Sequence, residues 1–233
     1  MSKGEIAVIV GAGSGLSASL ARKCAADGMS VALAARNTDK LSSLVAETGG
    51  RAYACDADEP ADVKALFDAV AADMGVPHLA VYNASRRVRG PFVEVDAEDV
   101  RAALITSCFG GFLVGQAAAK RMLPEGRGTI LFTGASAGMK GFPQSAAFAM
   151  GKFGLRGLAE SMARELQPSN IHVAYINIDG GILSPQRAAA AAERGADSML
   201  DPDAIADTYL QLHHQHRSAW SFLVELRPWL ERF

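Results

Sequence analysis

The chain is short of cysteine, of net charge and of long apolar runs, and each shortage closes off a class of protein. Its 233 residues hold three cysteines, Cys24, Cys55 and Cys108, no two close together. A disulfide framework or a cysteine-rich zinc site is thereby disfavoured, and a reducing cytoplasm is the expected compartment. A formal net charge of −2 supplies no bulk field to draw nucleic acid or an acidic membrane. Charges at Lys3 and Glu5 come early and no long apolar run follows, so neither a signal peptide nor a membrane span is expected. The Leu212-His213-His214-Gln215-His216 run has no matching carboxylate or cysteine and reads as a solvated helix end, with no metal site assigned.

What the chain does have is alternation. Ile6 to Val10 are five apolar residues, a strand buried on both faces. Gly11, Gly13 and Gly15 then punctuate a tight turn, and Leu16, Leu20, Ala21 and Cys24 form the stripe of a helix. Such a unit is either a plain turn or a phosphate cradle, in which glycines admit backbone N–H groups and the helix end adds about half a positive charge. Further strands are expected over Ser30–Ala35, 51–55, 78–82, Gly128–Thr133 and 170–176, with a last one at Phe222, Val224 and Leu226. Between them lie helices capped by Thr38 and by Asp58, a long helix over 96–123, and a second over 143–167 with the stripe Phe148, Gly151, Leu155, Leu158, Met162 and Leu166. Asp201-Pro202 opens one more, and Gly110, Gly111 and Gly115 call for a close helix contact or a bend.

Strand–helix repetition at this pace predicts an α/β fold, a single Rossmann-type doubly wound parallel sheet of about seven strands with helices on both faces, as one domain over 1–233. Ligands bind such sheets at the carboxyl ends of the strands, where the glycine turn, Arg36, Asp56, Asn83 and the segment after the fifth strand gather.

The motifs carry a resemblance. Val10-Gly11-Ala12-Gly13-Ser14-Gly15-Leu16-Ser17 is similar to the T-G-x-x-x-G-x-G loop of the short-chain dehydrogenase/reductase family. Asn83-Ala84-Ser85 resembles its N-A-G segment, Phe148-Ala149-Met150-Gly151-Lys152 its Y-x-x-x-K, and Asp179-Gly180 its P-G turn. The resemblance implies dinucleotide contacts from Gly11, Gly13, Ser14, Gly15, Leu16, Arg36, Asp56, Ala57, Asn83, Ala84, Lys152, Gly180 and Ile182, with Asp56 beside the adenine. It also implies self-association, as a homodimer or homotetramer, and a lid over 181–195. Its catalytic serine falls on Ala135 with Ser136 one step along, its asparagine on Ser107 and its tyrosine on Phe148, so that Lys152 alone is kept, as in a divergent branch. Ser17 replaces the third glycine, and its hydroxymethyl group is expected to shift the helix.

Phe148 has no proton to trade, which closes the family's usual acid/base route, worth about two to four orders of magnitude. The candidate catalytic groups are then Lys152, if burial lowers its pKa, and Ser136, whose plainer role is to satisfy nearby backbone. Phe148 itself reads as core packing. Arg36 suits the 2′-phosphate of NADP rather than the hydroxyl of NAD, unless it pairs with Asp39 or Asp56. Arg86, Arg87 and Arg89 either attract an anionic small-molecule substrate or are simply solvated. The expected function is an NAD(P)-dependent oxidoreductase acting on a small carbonyl, alcohol or conjugated alkene. The alternatives are a non-catalytic NADP-binding sensor or partner subunit and, further off, a lyase or isomerase.

Overall fold

A computed structural model describes residues 4–231, so that Lys3 and Phe233 lie outside the described residues. Strands β1 (Ile6–Val10), β2 (Ser30–Ala35), β3 (Arg51–Ala54), β4 (Leu79–Tyr82), β5 (Gly128–Thr133), β6 (Ile171–Ile178) and β7 (Leu223–Leu226) form a parallel sheet in the order β3-β2-β1-β4-β5-β6-β7. Around it run α1 (Leu16–Ala26), α2 (Ser42–Thr48), α3 (Pro60–Asp73), α4 (Ala97–Leu104), α5 (Gly110–Glu125), α6 (Ala146–Leu166), α7 (Ala188–Arg194) and α8 (Pro202–His213). Alternation along β1 sends Ile6, Val8 and Val10 into the core beneath α3, α5 and α6. Ala7 and Ile9 enter the opposite core beneath α1, α2 and α8. Both faces are covered, which is why the central strands read as unbroken apolar runs. The expected Rossmann-like architecture is the observed one.

Several local expectations need correcting. Thr38 makes no side-chain cap; Asn37 Oδ1 accepts from the Asp39 N–H at 2.9 Å instead. Asp58 is not the α3 cap, because Glu59 takes that position and Asp58 Oδ2 accepts from Thr106 Oγ1 at 2.7 Å. Asp96 and Asp201 do cap α4 and α8. The first long helix is not uniform: a π-helical turn, Ile105–Phe109, links α4 to α5. The second begins at Ala146 rather than 143, after Gln144 takes φ 58°. The His213 ring is not solvated but buried, within 3.0 Å of both Thr129 Oγ1 and Glu5 Oε2. The continuous helical stretch Ala97–Glu125 also has the length and apolarity of a membrane span, which the sequence reading overlooked. Its apolar side is occupied within the fold, where Ala103, Val114, Ala118 and Met122 are buried. Trp220 stacks on His172 with centroids 4.8 Å apart, Phe222 packs against the core, and Trp229 is exposed.

The glycines of α5 answer to contacts inside this chain. A Cβ on Gly110 would stand 2.8 Å from the Ala57 carbonyl oxygen and collide with the Tyr82 hydroxyl; one on Gly115 would stand 2.9 Å from Met162 Cε. Gly157, midway along α6, has open space around it. Alanine favours a helix over glycine by about 1 kcal/mol, whereas overpacking costs about 1–3 kcal/mol. Gly157→Ala is therefore expected to raise the melting temperature by about 2–4 °C and Gly110→Ala to lower it. Thermal denaturation of the two variants checks this, and a rise in both would refute the contact argument.

Candidate functional site

The order of strands reverses between β1 and β4, and there the glycine turn opens a crevice. Gly11 has φ +86°, and a Cβ on it would lie 2.5 Å from the Ala84 backbone nitrogen. Only glycine fits where β1 and β4 come this close. The Gly11 and Ala12 N–H groups both donate to the Ala34 carbonyl, at 3.1 and 2.9 Å. Ser17, at the third glycine position, ties the turn down. Its Oγ donates to the Gly11 carbonyl at 3.0 Å and accepts from Asn83 Nδ2 at 2.7 Å. Positions Gly13 and Gly15 face open space, and no side chain caps the amino end of α1. Ser14 and Gly15 line a groove that continues beneath the segment after β6.

Residues from β1, β2 and β4 and the loop after β3 line the crevice together: Gly11, Arg36, Asp56, Ala57, Asn83 and Ala84. Arg36 is exposed and forms no ion pair with Asp39 or Asp56. Lys40, which sequence reasoning did not single out, stands in the same wall. Asp58 Oδ1 is buried there and finds no partner among the described residues. Leu16 is buried in the core at the start of α1. An open glycine turn, an uncapped helix end, a free guanidinium and an orphaned carboxylate oxygen together fit an adenine dinucleotide.

Asn83 and Ser85 connect the crevice to a larger cavity of about 750 Å³. Thr133, Ala135, Ser136, Phe148, Lys152, Gly180 and Ile182 line it. Lys152 is 3 % exposed, and its Nζ donates to the Thr133 carbonyl at 2.8 Å. Burial pushes its pKa down to about 8, since the charged form is poorly solvated there. A solvated surface lysine is thereby ruled out. Phe148 is a half-buried cavity wall rather than core packing, with its ring centroid 5.9 Å from Lys152 Nζ and 5.2 Å from the Arg87 guanidinium.

No phenol opens into this cavity among the described residues. Tyr53 donates to Asp73, Tyr82 to the Thr106 carbonyl and Tyr175 to the Lys152 backbone carbonyl, while Tyr209 pairs with Thr133 Oγ1. Ser136 Oγ makes no hydrogen bond to backbone among the described residues. Burial opposes ionisation of Asp179, yet the Ser136 hydroxyl and Arg227 Nε at 2.7 Å favour its charged form and hold its carboxyl below the usual carboxylate range. Ser107, the expected asparagine equivalent, does not reach the cavity: it is buried beneath α6 and bonded to the Arg86 backbone at 3.3 Å. Arg86 pairs with Asp99 at 2.7 Å, whereas Arg87 and Arg89 face the cavity. The sequence reading missed Lys140, Arg187 and Arg194, which reach it from the turn after β5 and from the start and end of the α7 segment, where no motif announces them. Among the described residues no group of three or more metal-ligating side chains is assembled.

Comparison with known proteins agrees with this arrangement. The family model described as short chain dehydrogenase matches residues 5–194. A D-threitol dehydrogenase of Mycolicibacterium smegmatis is 32% identical over 179 residues, covering 75% of this chain and 69% of that protein. A short-chain dehydrogenase from Rhodopseudomonas palustris shares 37% identity at TM-score 0.85, over 97% of this chain and 100% of its own. A metagenomic short-chain oxidoreductase solved in complex with NADP shares 27% identity at TM-score 0.85, over 98% and 99% of the two chains. A matched family model over most of the length, on a fold built the same way, makes this chain a member of the short-chain dehydrogenase family.

Proposed function

We propose that this protein is an NADP-dependent oxidoreductase of short-chain dehydrogenase type, working with an incomplete catalytic set on a small carbonyl, alcohol or conjugated alkene. The observation that carries the proposal is the buried Lys152 amine, unpaired with any carboxylate among the described residues, in a cavity that runs into the glycine-turn crevice. The NADP complex of the metagenomic relative supports the same cofactor. Gly11, Gly13, Ser14 and Gly15 with the start of α1 would hold the pyrophosphate, Arg36 the 2′-phosphate, and Asp56 with Ala57 the adenine. Asn83, Ala84, Gly180 and Ile182 would border the nicotinamide, and Lys152 would grip its ribose. Bound there, the cofactor would supply a hydride as NADPH or accept one as NADP⁺. Lys152, with its pKa near the working range, holds the remaining exchangeable proton beside Phe148, and Ser136, held by Asp179, orients the substrate oxygen. Reduction of a conjugated double bond suits this set best, because its proton step can fall at carbon. Phe148 in the tyrosine place favours one second reading, a nucleotide-binding sensor or partner subunit without turnover. We also propose a cytoplasmic homodimer or homotetramer; the exposed Phe109, Phe112, Met150 and Phe153 favour self-association through α5 and α6.

Titration of NADPH fluorescence is expected to show binding, and Arg36→Asp to weaken NADPH at least tenfold relative to NADH. An unchanged preference would remove Arg36 from the cofactor site. Consumption of NADPH against a panel of carbonyls and conjugated alkenes separates the enzyme from the sensor. Phe148→Tyr is expected to raise turnover of simple carbonyls by at least tenfold in the enzyme reading.

The Lys152 amine also makes a stability prediction. Its folded pKa, about 8, lies below the ordinary 10.5, so the unfolded chain binds more protons between those values. Stability is reduced below pH 8 and recovers as pH rises through that window. Chemical denaturation of wild type and Lys152→Met at pH 7.5 and 9.5 should show the difference moving in favour of wild type by about 2 kcal/mol. A pH-independent difference would mean that the amine titrates normally.

A further inference from the structure

The geometry points to a compact dianionic substrate, a phosphate monoester or a dicarboxylate, held in the Phe148–Lys152 cavity by cations from three separate loops. This deepens the oxidoreductase reading above and rests on it. Arg87 and Arg89 come from the loop after β4, Lys140 from the turn after β5, and Arg187 and Arg194 from the segment after β6. Against these stand two carboxylates, Asp179 and Glu231, and Asp179 is already engaged by Arg227.

None of the five cations forms an ion pair among the described residues. Elsewhere Arg22, Arg51, Arg101, Arg121 and Arg164 each face a carboxylate within 3.6 Å, while Arg36 in the crevice does not. The run Arg86, Arg87, Arg89 is divided in the same way, with Arg86 bridged to Asp99 and its two neighbours turned into the cavity. Arg87 is fixed there by the Phe148 ring, 5.2 Å from the guanidinium. Burial and the nearby charges of Arg89 and Arg187 push the Arg87 pKa down.

Like charges converging from independent loops repel one another unless an anion lies between them. The five side chains are exposed, and Arg187 donates to the Ile182 carbonyl, yet all of them gather on the rim of one cavity from three separate segments. Planar guanidiniums suit an oxyanion, which can take two parallel N–H donors at once. Four guanidiniums, each with several N–H donors, exceed what the two oxygens of one carboxylate can engage, which favours a doubly charged group. The cavity volume of about 750 Å³ leaves room for a small molecule beside a nicotinamide. The charges also lie apart from the crevice of Gly11, Arg36 and Asp56, where the cofactor's own phosphates would sit.

The test uses two matched pairs of probes, 2-oxoglutarate against its dimethyl ester and dihydroxyacetone phosphate against dihydroxyacetone. Each is titrated calorimetrically into the full chain, with and without saturating NADPH. At least one dianion should bind tenfold or more tightly than its uncharged partner, and which pair responds separates dicarboxylate from phosphate ester. In an Arg87→Gln/Arg194→Gln double variant the advantage should fall by tenfold or more, while Arg86→Gln keeps it and NADPH affinity stays within twofold in both. Equal binding within both pairs, or an advantage that survives the double variant, overturns the proposal. So does a parallel loss of NADPH affinity, which would give these charges to the cofactor. Failure of the oxidoreductase reading is distinguishable: NADPH is then not consumed against any carbonyl or alkene, whereas the titrations without nucleotide still decide the anion site.

Discussion

A parallel strand can be reached only by a crossover, and in this chain that constraint places everything else. Successive strands are laid down outward from β1 to β3, and the chain then returns to set β4 on the other side of β1. The loops leaving β1 and β4 therefore diverge to opposite faces and leave a crevice between them. What keeps that crevice narrow at its base is the contact of Gly11 with the Ala84 backbone, reinforced by the Ser17 hydroxyl between the Gly11 carbonyl and Asn83. The position that looked like a defect in the glycine pattern closes the loop by a hydrogen bond instead of by a bare backbone approach.

The second feature is an electrostatic imbalance. A buried ammonium is costly unless paired, and Lys152 has a carbonyl oxygen for a partner but no carboxylate among the described residues. Arg87 lies over the same Phe148 ring, 5.2 Å from its centroid. An aromatic ring with two cations near it presents no ionisable hydrogen of its own. The site is accordingly suited to holding negative charge and oriented oxygen atoms, and poorly equipped for a phenol-driven proton step. Asp179 does not offset this, because its charge is spent on Arg227 and the Ser136 hydroxyl.

Much of the fold was legible because its signals are local. Five consecutive buried residues in β1, eight in β6 and the spaced apolar stripe of α1 each dictate their own conformation. Capping was less legible: Thr38 and Asp58 are of the right residue type, but a neighbour or a distant hydroxyl competes for the role. The π-helical turn before Gly110 was not readable, since it answers to Tyr82 on the sheet below.

By itself the sequence determined the parallel sheet, the glycine turn at its switch point, and the presence of an inert ring where the resemblance looks for a phenol. These follow from residue type at a position, which the chain carries wherever it folds. Only the tertiary structure decided that Lys152 is buried, that no tyrosine from elsewhere fills the gap, and that Lys140, Arg187 and Arg194 join Arg87 and Arg89 around one cavity. Burial and electrostatic neighbourhood depend on which distant loops meet, and loops remote in sequence leave no periodic trace of their meeting.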